Sequence, residues 1–133
     1  ERKFLYKPPQ TAYIDALGRK AITYQRCADF NAVKGAVAQG YPVVVGFDVY
    51  ESFESDIVAA TGQMPYPNVN TEQLLGGHAV ALVGYNDTTQ RFIARNSWGT
   101  SWADRGYFYM PYQVIQNASM SSDFWTISSV NNP

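Results

Sequence analysis

From His78 to Tyr85 small and apolar residues follow one another, then give way to Asn86-Asp87-Thr88-Thr89-Gln90, and apolar residues return in Phe92-Ile93-Ala94. Two such runs about a short polar segment predict a β-hairpin. Elsewhere the pattern is shorter in range. Ala21 to Cys27 carries β-branched and aromatic residues and predicts a strand. Asp29 is placed to cap a short helix with Phe30, Val33, Ala36 and Val37 on one face, and Gly40 ends it. Pro42 to Val49 is apolar almost throughout, which predicts a strand buried on both faces. Tyr50 to Phe53 begins a turn or short helix. Thr61 to Thr71 is loop, with a short extended piece at Gln63-Met64. Gly106 to Met110 and Asp123 to Ile127 read as further strands, and Pro111 opens a helical turn toward Ile115.

This inventory has no βαβ alternation and no repeat. It predicts an α+β fold: an antiparallel sheet of about five to seven strands curled toward a barrel, with short helices at the margins. Residues 1–20 hold Pro8, Pro9 and Gly18 and no steady period. They read as a connecting segment arriving from an absent N-terminal helical domain, and residues 21–133 as the β-rich domain.

Composition narrows the function classes. At 133 residues with 46% hydrophobic content, the chain has the size and apolar content of one globular domain. A net charge of -1 gives no electrostatic case for nucleic acid or an acidic membrane surface. No apolar run is long enough to span a bilayer, and no signal-peptide pattern opens the chain. One histidine and one cysteine cannot build a zinc site, and no carboxylate cluster suggests calcium or magnesium. No cofactor is expected. Asn86-Asp87-Thr88 and Asn117-Ala118-Ser119 match the glycosylation pattern but read as turn and loop residues.

The hairpin carries the chemistry. His78 lies eight positions before Asn86, and Asn96 six after Gln90. Antiparallel pairing brings the two together at the open end of the hairpin. A carboxamide oxygen that holds one imidazole nitrogen fixes the ring and its tautomer, and leaves the other nitrogen to face a nucleophile. Trp98 and Trp102 follow closely and are positioned to shield that bond from water.

Gly-His-Ala at 77–79, Val83-Gly84-Tyr85, Arg95 to Gly99, Trp102 and Gly106-Tyr107 together resemble the papain-like cysteine peptidases. The resemblance covers most of this chain but only the C-terminal half of such an enzyme. It implies the β-rich right-hand domain of that fold, peptide-bond hydrolysis through a Cys-His-Asn triad, and His78 and Asn96 as its histidine and asparagine. It further implies a substrate groove at Gly46, Gly77, Ala79 and Ile127, with a hydrophobic side chain in the second subsite and Trp102 toward the leaving group. Two positions depart from the family. Ala103 stands where glycine usually follows the second tryptophan, and Gly77 where Asp or Asn often precedes the histidine. With one cysteine there is no intramolecular disulfide, unlike most secreted plant and animal members; this points to a bacterial, archaeal or viral type.

Cys27 fails as the nucleophile. His78 follows it by 51 positions, whereas the family spacing is roughly 130–150. Its neighbours Arg26 and Ala28 lie in a predicted strand instead of at a helix N-terminus. The catalytic cysteine and its oxyanion-hole glutamine are expected upstream of Glu1, so this chain alone is expected to be inactive. Its expected partners are a peptide or protein substrate and the cysteine-bearing domain. Without that domain, the face with His78, Trp98 and Trp102 is expected to self-associate. The competing readings are a non-catalytic papain-like module for protein binding or inhibition, and a stand-alone β-domain whose aromatics hold peptide or carbohydrate. The sequence upstream of Glu1 separates them.

Overall fold

The computed structural model describes residues 5–130. The elements run α1 (Gln10–Leu17), β1 (Ala21–Arg26), α2 (Phe30–Ala38), β2 (Val43–Tyr50), a 3₁₀ turn (Glu51–Glu54), α3 (Asp56–Thr61), β3 (Leu74–Asn86), β4 (Arg91–Arg95), β5 (Tyr107–Pro111), α4 (Tyr112–Gln116) and β6 (Ser121–Val130). The six strands form one sheet in the order β1-β6-β2-β3-β4-β5, every pair antiparallel. The expected curl toward a barrel stops short of closure. β1 and β5 are the two edges, and the described residues contain no pairing between them.

β2 is central and sets the layers. Val43, Val45, Phe47 and Val49 point inward and are buried. Each such side chain contributes about 1.5–3 kcal/mol by leaving water. The expectation that both faces are buried is not met, because Val44 is 43% exposed. The continuous apolar run therefore overstated the cover that this chain itself supplies: only the inward face has helices and loops packed on it.

α2 closes the inward face. The Asp29 side chain accepts the Ala32 N–H at 2.8 Å, and Val33 and Val37 are buried beneath the helix. Phe30 meets Phe92 and Tyr112 edge-on at 5.8 and 5.2 Å. Asp87, at the tip of the β3–β4 hairpin, accepts hydrogen bonds from Lys34 on α2 and Tyr112 on α4. These bonds tie hairpin tip, α2 and α4 together and hold the Asp87 carboxyl below the usual carboxylate range, Lys34 first and Tyr112 next. Desolvation and the same carboxylate push the Tyr112 hydroxyl well above its ordinary range.

The connection from β2 to β3 is more ordered than its sequence suggests. Ser55 caps α3 through Val58 N–H at 3.4 Å. Gly62 follows at φ +71°, and a side chain there would stand 3.0 Å from the Tyr107 carbonyl. Gln63 makes an isolated bridge to Tyr109, where the short extended piece was expected. Arg91 Nη1 donates to the Met64 and Tyr109 carbonyls at 2.7 and 2.6 Å, fastening the loop to β5. Both sequon asparagines accept bonds within their own turns, Asn86 from Thr89 N–H and Asn117 from Ser119 N–H.

α1 lies inside the expected connecting segment and buries none of its residues. Pro9 stands at its N-cap, where a missing N–H costs nothing because that donor has no helical acceptor.

Candidate active site

β3 and β4 are joined by a four-residue turn, Asp87 to Gln90, with Gln90 in the left-handed region at φ +52°. The paired strands bring His78 and Asn96 together at the open end, as expected. His78 Nε2 lies 2.8 Å from Asn96 Oδ1. The same oxygen accepts the Ser97 N–H at 2.8 Å. That second bond fixes the amide, since a flipped carboxamide would set its NH2 against another donor. Oδ1 can only accept, so Nε2 is the nitrogen that donates to it, and Nδ1 is left outside this bond. Asn96 is 8% exposed, its N–H donates to the Gly106 carbonyl at 2.9 Å, and its Nδ2 has no partner among the described residues.

Aromatic rings enclose the pair. Trp98 stacks on His78 at 5.1 Å with planes 26° apart. Trp102 meets Trp98 edge-on at 5.0 Å. Phe53, fully buried in the 3₁₀ turn, touches both tryptophans at 5.6 and 5.9 Å, and Phe47 meets the His78 ring at 6.0 Å. Thus Trp98 is the direct cover, itself 41% exposed, and Trp102 is the wedge that seats it on the core. Phe47 and Phe53 went unread as site residues. Phe47 lies within β2 and Phe53 in the turn after it, and nothing but aromatic character marks either in sequence.

Beside His78 lies a hollow of about 390 Å³, walled by Gly46, Asp48, Gly77 and Ala79 on one side and by residues 118–122 on the other. Three of the four expected groove residues are thus together: Gly46, Gly77 and Ala79. Ile127 is not there. It pairs with Tyr24 on β1, while Ser122 is the residue opposite Gly46. The last strand starts at Ser121 instead of Asp123, and an irregularity near Asp123 (φ +62°) shifts its register. The wall expected from Ile127 is supplied by Ser119, Ser121 and Ser122, so the hollow is more polar than Gly46 and Ala79 alone suggest.

Cys27 follows β1, packs in the core at 6% exposure, and donates its N–H to the Phe124 carbonyl at 2.9 Å. Burial raises its thiol pKa, which keeps the proton on sulfur at neutral pH. It borders a different hollow, between α2 and β6, and is not among the residues around His78. Ala103 takes φ +49°, so the departure from glycine leaves an alanine in a left-handed conformation.

The family model for papain family cysteine proteases matches residues 6–127. This chain belongs to the papain family. An uncharacterized peptidase C1-like protein of Acanthamoeba polyphaga mimivirus is 42% identical over 98% of this chain and 45% of its own length. Chicken cathepsin K is 33% identical over 69% of this chain and 27% of its own length. Among solved structures, xylellain, a cysteine protease from Xylella fastidiosa, superposes with a TM-score of 0.85 at 40% identity, covering 93% of this chain and 46% of xylellain. This papain-family chain spans less than half the length of these relatives. Its six-stranded sheet with short helices is the β-rich domain of the family fold. Among the described residues no three His, Cys, Asp or Glu side chains gather as metal ligands, and no helix is long and apolar enough to cross a membrane.

Proposed function

We propose that this chain is the C-terminal, histidine-bearing half of a cysteine peptidase that hydrolyses peptide bonds through a Cys-His-Asn triad, with the cysteine supplied from outside the chain. The observation that carries this reading is the 2.8 Å bond from His78 Nε2 to Asn96 Oδ1 beneath Trp98. It leaves Nδ1 as the free basic nitrogen. Nδ1 takes the proton of the incoming thiol, and the thiolate attacks the carbonyl carbon of the scissile bond. The imidazolium then gives that proton to the leaving amine, which departs and leaves a thioester. A water molecule, deprotonated by the same nitrogen, hydrolyses the thioester. Asn96 keeps the ring aimed throughout without adding a negative charge. The hollow beside His78 holds substrate side chains, with Gly46 and Ala79 as its smallest walls.

Cys27, protonated and buried, takes no part, so the isolated chain is inactive. Substitutions in the complete protein test the assignment. His78→Ala should lower the rate of acylation by about 10⁴-fold or more. Asn96→Ala should lower it by only about 10–100-fold, because the base remains and only its aim is lost. Unchanged acylation in both variants, followed by mass shift with a peptidyl epoxide, refutes the roles given to them.

A further inference from the structure

Side chains alternate along β2, so the residues between its buried positions share the opposite face. Asp48 is one of them. It lies on the same face as Gly46 and as Ala79, the residue paired with Gly46. It is half-buried and stands in the wall of the 390 Å³ hollow beside His78. No other Asp or Glu, and no Lys or Arg, lines that hollow. Among the described residues the Asp48 carboxylate has no ion-pair partner. A carboxylate drawn partly out of water and left without a cation is held at a cost.

The surroundings of Asp48 say what would offset that cost. Its partner on β3 is Gly77, and a Cβ added there would meet nothing within 4 Å. The space beside the carboxylate is therefore open. The far wall includes Ser119 and Ser121. Ser119 Oγ donates to Asn117 Oδ1 at 2.7 Å, and Ser121 Oγ to the Val114 carbonyl at 2.8 Å. A hydroxyl has one proton to give, so both serine oxygens are left as acceptors. The two large apolar residues of the lining, Phe47 and Met120, are each 2% exposed and offer the hollow little surface. Gly46, Gly77 and Ala79 add no bulk, which leaves room for a long side chain.

A hollow with one carboxylate, further acceptors and no cation fits a group that only donates. Among peptide side chains these are the lysine ammonium and the arginine guanidinium, whose aliphatic stems can lie along small apolar walls. We propose that Asp48 is a specificity-determining residue, and that it selects Lys or Arg as the substrate side chain seated beside His78. This deepens the peptidase reading and rests on it. It also replaces the hydrophobic side chain that the family resemblance implies for the second subsite.

Two fluorogenic peptides given to the complete protein test it. They differ only at the second residue before the cleaved bond, which is arginine in one and citrulline, its uncharged analogue of similar shape, in the other. kcat/KM should be about tenfold or more higher for arginine, the scale of a hydrogen bond to a charged group, and the advantage should shrink with added salt. Asp48→Asn should bring the arginine-to-citrulline ratio close to one. Taking the ratio cancels any general loss of activity in the variant. Equal rates for the two peptides in the parent protein overturn the proposal. So does faster cleavage of a leucine peptide, or an arginine preference that survives Asp48→Asn. The parent comparison needs no variant and stands even if Asp48→Asn does not fold. Calorimetric binding of the same two peptides to the complete protein carrying His78→Ala separates this inference from its premise. Tighter binding of the arginine peptide, with no cleavage by the parent, keeps Asp48 as the selecting residue and removes the peptidase reading. Cleavage without arginine preference does the reverse, and the absence of both cleavage and selective binding overturns the two together.

Discussion

Ala103 is held at φ +49°, a conformation that costs an L-residue about 1–2 kcal/mol and glycine almost nothing. Glycine gives back part of that through its freer unfolded chain. Ala103→Gly should therefore stabilise the protein by about 0.5–1 kcal/mol, seen as a higher urea midpoint at unchanged slope. Asp87 acts on stability through pH. Its carboxyl titrates lower in the folded protein than in the unfolded chain, because Lys34 and Tyr112 bond to the charged form. Its contribution is complete above the unfolded pKa and is lost as pH falls through the folded one. Between neutral pH and the acid limb, Asp87→Asn should flatten the fall of the urea midpoint compared with the parent. An identical acid dependence in the two proteins would exclude Asp87 as a source of it. His78, Asn96, Trp98 and Trp102 were legible in sequence because they sit close together on one hairpin and its exit loop. Ile127 lies away from Gly46 because β6 runs antiparallel to β2 with Thr126 opposite Val43, which sets Ser122, near the start of β6, opposite Gly46; nothing local in Asp123-Phe124-Trp125 announces that register. The Lys34–Asp87 contact spans 53 positions and had no sequence signal at all.

Periodicity located the elements well and their surroundings less well. β1, α2, β2, the hairpin, β5 and α4 fall where the apolar pattern puts them. α3 was passed over because Asp56–Thr61 is too short to show a helical period, and its Ser55 cap is an ordinary serine in sequence. α1 was hidden by its prolines, which are tolerated at a helix start and read as breaks. The loop after α3 depends on one backbone position. Gly62 combines φ +71° with a carbonyl 3.0 Å from where a Cβ would be, and its own carbonyl accepts the Tyr109 N–H at 2.8 Å. Gly62→Ala should destabilise the protein by about 1–3 kcal/mol, read as a lower thermal midpoint. The same substitution at Gly77, where nothing lies within 4 Å of an added Cβ, should be close to neutral and serves as the comparison.

At the scale of the molecule the sheet is complete as a scaffold and open as a surface. One face is closed by α2, α3, α4 and the loops. The other leaves Val44 43% exposed and carries Gly46 and Ala79 in the wall of the hollow beside His78. Fold class was legible from the strand pattern together with the absence of βαβ alternation. The asymmetry of the two faces was not, because a run of valines does not say which face of the strand the helices cover. β1 and β5 lie at the two ends of the sheet and do not pair with each other among the described residues.

His78 and Asn96 are 18 positions apart and joined through a single hairpin. A hairpin closes in about 1–10 μs, long before two separate bodies can dock. His78 and Asn96 are thus brought together early, on a local clock; under the function proposed above, a thiol from outside this chain would reach them only later, on docking. Peptidase activity would then appear as an all-or-none consequence of docking, and a molecule still folding would have no means of cutting its neighbours.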